Sequence, residues 1–310
     1  MNLGRGPGRV IGETIFRWLA TGSGLAILVI LAAVATFLTG LAIPALLSDP
    51  ADLQFGRDRG FWSYAAPFAF GTVWAAALAM LMAVPASLGI ALYLTHYAPR
   101  RLAGLFGYVI DLLAAVPSVV FGLWGIAVLA PGMRPIFVWL EEHLGWIPLF
   151  AGPVSGTGRT MLTAALVLAV MVVPIITALT REVFNQTPQL HEEASLALGA
   201  TKWEMIQQAV LPFGRPGIIS ACMLGLGRAL GETMAVAMVL SGSSAITLEL
   251  LTSRNPNTIA ANIAQSFPES YGIGRNELIA TGLLLFIITL VVNMIARAII
   301  DRRSDFSGAH

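Results

Sequence analysis

PGIISACMLGLGRALGETMAVAMVLS, running from Pro216 to Ser241, is suited to lipid throughout except at Arg228 and Glu232, its only charges. A charged side chain at mid-bilayer costs roughly 2.5–3.5 kcal/mol on the insertion scale, and ionisable residues inside a span are functional candidates by default. On a continuous helix, residues i and i+4 share a face, so Arg228 and Glu232 would pair and lower each other's cost of burial. A purely structural reading competes with this one. Gly227 and Gly231 also make a small-x-x-x-small face on which a neighbouring helix could pack, with the ion pair fixing that packing.

The rest of the chain shares this solvent. Its 310 residues are 56% hydrophobic and only 11% charged, whereas a soluble domain carries about 25% charged residues. Six apolar stretches, at about 25–47, 67–95, 105–130, 161–179, 216–241 and 278–296, are each long enough to cross the hydrocarbon core. Arg5, Arg9 and Arg17 precede the first, which is too long for the apolar region of a signal peptide and reads as a retained span. Six crossings put both termini on one side. The loops on that side carry eleven Arg and Lys, and the opposite loops six, which makes the termini and the 180–215 loop cytoplasmic.

Smaller features follow. Pro85, Pro117 and Pro174 fall inside three successive spans, as kinks or as the ordinary prolines of membrane helices. Pro135 to Gly145 reads as a short amphipathic helix in an outer loop. Asn257 to Phe267 reads as another, with Asn257 at its N-cap. Asp111, about a turn and a half from the cytoplasmic end of its span, is expected either to sit at the interface or to pair with Arg100 or Arg101. The net charge of +1 gives no field for nucleic acid. The single cysteine, Cys222, excludes an intramolecular disulfide.

The loop from Thr180 to Arg215 is punctuated as two short helices. Thr187 with Pro188 marks one N-terminus, and Gly199 suits the left-handed residue that ends that helix. Thr201 and Glu204 have capping-box spacing, and the second helix should stop before Pro212. Helix, glycine turn and helix make a compact knob.

Within that knob, Glu193-Ala194-Ser195, then Gly199, then Val210-Leu211-Pro212 resembles the EAA loop of ABC importer permeases, with Ser195 and Ala209 as its two departures. The segments LGLGRALGETMAV, Leu224 to Val236, and AAVPSVVFGLWG, at 114–125, are similar to the phosphate-specific transport permeases, the PstC-type subunit rather than its PstA-type sister. The resemblance implies an all-α membrane protein of six transmembrane helices in the type I ABC importer (MetI-like) architecture. It implies a cytoplasmic segment at 1–24, a transmembrane permease domain at 25–300 with its coupling loop at about 187–212, and a cytoplasmic tail at 301–310. Arg228, Glu232 and Thr233 become candidates for the transport path, and Glu193, Ala194 and Gly199 for ATPase coupling. The implied partners are a second, PstA-type permease, two PstB-type ATPase subunits, an external PstS-type phosphate-binding protein, inorganic phosphate and membrane lipid.

Enzyme chemistry finds little support in the sequence. The only lysine, Lys202, lies in no P-loop, so ATP would be bound by a separate subunit. No His-Glu-x-x-His, Gly-x-Ser-x-Gly or cysteine cluster marks a metal or nucleophile site, and no cofactor is expected in the chain. An arginine suits an oxyanion because its fork of donors never deprotonates. A neighbouring glutamate would loosen that grip and hold Arg228 when the path is empty. Two alternatives stay open: a permease for another oxyanion such as sulfate or molybdate, and a stand-alone secondary transporter or channel.

Overall fold

A computed structural model describes the backbone of residues 7–304 and the side chains of 13–298. The expected cytoplasmic segment at 1–24 and tail at 301–310 lie partly outside the described residues. Those residues form twelve α-helices, with one isolated parallel bridge between Ser243 and Pro256. Six helical runs are long and apolar enough to cross a membrane: Glu13–Leu47, Phe61–Tyr97, Ser118–Leu144, Met161–Asn185, Lys202–Gly231 and Ile273–Ala298.

At the centre, α6 (Met161–Asn185) packs on both α2 (Phe61–Leu92) and α9 (Leu211–Gly231). Small residues let the three backbones come close. On α2, Ala75, Ala79, Ala83, Ser87 and Ala91 recur every four residues, and all are buried. The Ser87 hydroxyl donates to Val173 O of α6 at 3.2 Å. On α9, Gly217, Ala221, Gly225 and Ala229 repeat the same spacing. A Cβ at Gly217 would stand 2.4 Å from Val183, and one at Gly225 would stand 2.7 Å from Val172. Small residues at this interval are how helices associate in lipid, where apolar area alone gives no preference. Outside this core, α1 (Pro7–Leu47) rests on α12 (Ile273–Ser304).

The helix boundaries depart from the hydropathy pattern at several places. The apolar string at 105–130 is divided between two helices, α3 (Arg100–Ala114) and α4 (Ser118–Trp124), because Pro117 disfavours helical backbone at the residue before it. The third crossing therefore starts at Ser118 and runs through a π turn, Gly125–Leu129, into α5 (Ala130–Leu144). The amphipathic piece expected at Pro135–Gly145 is the end of this crossing. Pro117 thus starts a span, while Pro85 and Pro174 lie inside α2 and α6. The first helix begins well ahead of residue 25. In the loop before the last crossing, α11 (Ile259–Ser266) is capped by Thr258, whose hydroxyl accepts from the Ala261 N–H at 3.3 Å, not by Asn257.

Three π turns, Tyr93–Tyr97, Gly125–Leu129 and Ile206–Val210, each stand just before a proline, at Pro99, Pro131 and Pro212. A proline ring clashes with the carbonyl four residues back and offers no N–H. At Pro131 and Pro212, where the helix continues, that carbonyl belongs to the widened turn, whereas Pro99 lies past the helix end and starts α3. At the third, the Leu211 N–H reaches Ile206 O, five residues back. The helix starting at α8 (Lys202–Met205) therefore passes Pro212 and continues into α9 rather than stopping before it.

Candidate functional site

The run from Pro216 to Ser241 is broken where the sequence suggests continuity. Helix α9 ends at Gly231, Glu232 is extended (φ −67°, ψ 128°), and α10 (Met234–Val239) starts anew after Thr233. Glycine is a weak helix former, and the Thr233 hydroxyl takes the Gly231 carbonyl at 3.2 Å. Glu232 is buried, and its Oε1 accepts from the Ala235 N–H at 3.1 Å. It thus satisfies one of the free donors at the start of α10, where a negative charge is favoured. Helix α10 is wedged against α4 and α6. A Cβ at Gly122 would meet the Ala235 backbone at 2.9 Å, and Val239 packs with Val167 and Met171.

Arg228 and Glu232 therefore do not make the ion pair that i, i+4 spacing suggests. Among the described residues, the ion pairs are His96–Glu192 and Arg181–Asp111, so Arg228 has no carboxylate within 4.0 Å. Its Nε–H is out of water and has no acceptor. The side chain lines an open cleft of about 530 Å³ with Ile175, Ser220, Met223, Leu224, Gly227 and Asn293. Ser220, Leu224, Gly227 and Gly231 lie along one exposed stripe of α9. Nothing stands within 4 Å of a Cβ at Gly227 or Gly231, so no helix of this chain packs on these two glycines. Within the chain, α9 packs through the opposite stripe, by way of Gly217 and Gly225. Thr233, half-buried, sits at the break itself.

The knob forms as its punctuation suggests at the glycine turn and the capping box, but its start is shifted and its second helix does not stop before Pro212. Helix α7 (Gln189–Ala197) is preceded by Pro188 rather than capped by Thr187, whose buried hydroxyl has no partner. At its other end Gly199 has φ +90°, its N–H reaches Leu196 O at 3.0 Å, and the Ala200 N–H reaches Ser195 O at 3.3 Å. These two bonds are a Schellman motif. Thr201 and Glu204 complete the capping box at 3.3 and 2.7 Å. Glu193 and Ala194 are exposed, and apolar side chains beside them face outward, Leu190 at 77% and Leu198 at 90% of their full exposure. The two departures from the EAA pattern, Ser195 and Ala209, line one groove with His191, Ala194, Gln208, Pro212 and Phe213. Ser195 also donates to Gln208 at 3.4 Å.

The knob is joined to the core through the end of α2. His96 lies 3.7 Å from Glu192 of α7 and edge-on to Phe184 of α6, and the Lys202 ammonium sits 4.9 Å from the Tyr97 ring centre. Asp111 pairs with Arg181 of α6 at 3.2 Å, not with Arg100 or Arg101.

With this geometry, residues 83–305 match the family described as "Binding-protein-dependent transport system inner membrane component". The chain belongs to that family. Relatives of this inner-membrane component include the "Phosphate transport system permease protein PstC 2" of Mycobacterium tuberculosis, 46% identical over 93% of this chain and 91% of that protein. The protein named PstC in Mycobacterium leprae is 51% identical over 74% of this chain and 72% of its own length. In Xylella fastidiosa the corresponding figures are 46%, 77% and 74%. In fold, the chain is similar to a bacterial ABC transporter involved in the import of the acidic polysaccharide alginate (TM-score 0.56, 15% identity, 94% of this chain and 98% of that one). As an inner-membrane component, the chain is a multi-pass protein of the bacterial inner membrane. Sequence reasoning missed Ser220 and Asn293 in the Arg228 cleft. Their signal was that each is a polar side chain inside an apolar run.

Proposed function

We propose that this chain is a permease subunit of an importer for inorganic phosphate, driven by ATP hydrolysed on a separate subunit. The observation that carries the reading is the Arg228 guanidinium. It is unpaired by any carboxylate and opens on a cleft along the uncovered stripe of α9. A cation without a counter-ion in a membrane protein suits a passing oxyanion. The names of the relatives, at 46–51% identity, support phosphate over sulfate or molybdate.

In this reading a second, PstA-type permease covers the stripe through Ser220, Leu224, Gly227 and Gly231, and the path lies between the two. Two PstB-type ATPase subunits dock on the permeases, one receiving the knob around Glu193, Ala194 and Gly199. A PstS-type binding protein delivers phosphate from outside. Both termini lie in the cytoplasm. ATP-driven closure of the ATPase pair moves the knob, which draws on α2 through His96 and on α9 through the continuous helix beginning at Lys202. Arg228 and Thr233 then face the path, while Glu232 holds the start of α10. Lipid covers the remaining apolar surface.

The test is Arg228→Gln in the complete complex reconstituted in vesicles. Phosphate uptake should be lost while the complex still assembles and the loaded binding protein still stimulates ATP hydrolysis. Normal uptake by this variant would overturn the reading. Uptake by the chain alone, without an ATPase, would favour a stand-alone transporter.

A further inference from the structure

A second arginine shares the signature of Arg228. Arg159, in the loop before α6, reaches across to the other end of α10, where its Nη2 donates to Leu240 O at 3.1 Å and Ala237 O at 3.5 Å. Like Arg228, it has no carboxylate within 4.0 Å among the described residues. Like Arg228, its Nε–H is out of water and has no acceptor, and no other arginine among the described residues has this feature. Along the chain the two arginines flank one short helix: Arg228 stands in the last turn of α9, ahead of the break before α10, and Arg159 is bonded to the far end of α10. Six residues of α-helix span about 9 Å.

We propose that Arg159 is a second oxyanion station, outward of Arg228, and that phosphate passes from one to the other along α10. The proposal rests on the reading of Arg228 as a path residue. Three physical points support it. A guanidinium has five donors; the hydrogen bonds to protein engage only Nη2 of Arg159 and the Nε–H is closed off from water, which leaves the Nη1 edge for an oxyanion. The two carbonyls fix the side chain in place but supply no full negative charge, so the grip on an anion stays releasable. The carbonyl end of α10 is itself tied down on the protein side. Gln265 Nε2 donates to Ala237 O at 3.3 Å, and Asn257 Nδ2 donates to Gln265 Oε1 at 2.9 Å. Arg159 is thus aimed by a network of neutral amides.

Arg159 has a structural alternative, in which it merely caps the last carbonyls of α10. Substitution separates the two roles. Arg159→Gln keeps an N–H donor for those carbonyls and removes the charge, whereas Arg159→Lys keeps the charge. In vesicles holding the complete importer with its binding protein, Arg159→Gln should lower phosphate uptake roughly tenfold or more, the scale of one charge-assisted contact. Arg159→Lys should stay within about threefold of the parent, since it keeps the charge but not the fork. Both variants should assemble and retain ATP hydrolysis stimulated by the loaded binding protein. Uptake by Arg159→Gln equal to the parent's would overturn the proposal, as would equal losses for Gln and Lys. Arg228→Gln measured in the same vesicles keeps the failures apart. Normal uptake there sinks the reading of the cleft, whereas loss there with normal uptake by Arg159→Gln sinks the outer station alone.

Discussion

At the scale of the residue, Glu232 shows how one backbone dihedral changes a role. Spacing of four makes it a partner for Arg228 only if the helix continues. The helix stops at Gly231, and the carboxylate turns to the Ala235 N–H instead. Arg228 is thereby left without a counter-ion. The distinction is measurable. A cap is worth about 1 kcal/mol, so Glu232→Ala should lower unfolding stability in detergent by about that amount. Glu232→Gln keeps an acceptor for Ala235 and should lose less than half as much, with uptake largely retained. If the carboxylate acted by balancing Arg228, Gln and Ala would impair uptake equally, and that result would refute the capping role. The sequence could not show this break, because glycine is common in membrane helices and Gly231 looks no different from Gly227 there.

At the scale of the element, the knob was far more legible than the spans. Its ends are set by local chemistry that the sequence states directly: a left-handed residue at Gly199 and a reciprocal box between Thr201 and Glu204. The spans are set by where a helix can pass a proline, and hydropathy does not see that. The string at 105–130 is uniformly apolar yet belongs to two helices, while the helix from Lys202 passes Pro212 by widening one turn. The packing stripes of α2 and α9 were present in the sequence as small residues every fourth position, but Gly227 and Gly231 offered a competing stripe of equal quality. The knob also makes a prediction. Gly199→Ala forces an L side chain into φ +90°, at a cost of roughly 1–2 kcal/mol. The turn should distort, and co-purification of the ATPase subunit should fall. Gly199→Asn, which tolerates that backbone better, should fall less. Unchanged co-purification with Gly199→Ala would mean that the turn does not set the docking geometry.

At the scale of the whole molecule, the outer helices depend on a polar tie. Helix α1 packs on α12, and the loop that follows α1 is held to α12 by one carboxylate. Glu277 is fully buried, and it accepts from the N–H groups of Gln54, Phe55 and Gly56 at 2.7, 2.9 and 2.8 Å. Gln54 strengthens the tie, donating to Glu269 O at 3.1 Å and accepting from the Tyr271 N–H at 3.2 Å. Successive backbone N–H groups form an anion-binding concavity, and here the chain supplies its own anion from more than two hundred residues away. Around it Ala42, Leu53, Phe61, Ala65 and Ala280 form a small separate core. Glu277→Ala would leave three N–H groups without acceptors. At about 1–3 kcal/mol for each donor left unsatisfied, and with water repaying part of it, the net loss should be roughly 3 kcal/mol. Glu277→Gln keeps one acceptor oxygen but turns an amide donor toward other donors, so it should fall between the parent and Ala. Thermal unfolding in detergent measures both, and limited proteolysis at residues 48–60 reports whether the loop has come free. The loop should become cleavable in Glu277→Ala before the central helices unfold, because α2, α6 and α9 hold each other by small-residue packing that does not involve Glu277. If the loop stays protected and the midpoint is unchanged, the tie does not hold α1 in place, and the apolar contact between α1 and α12 is sufficient by itself.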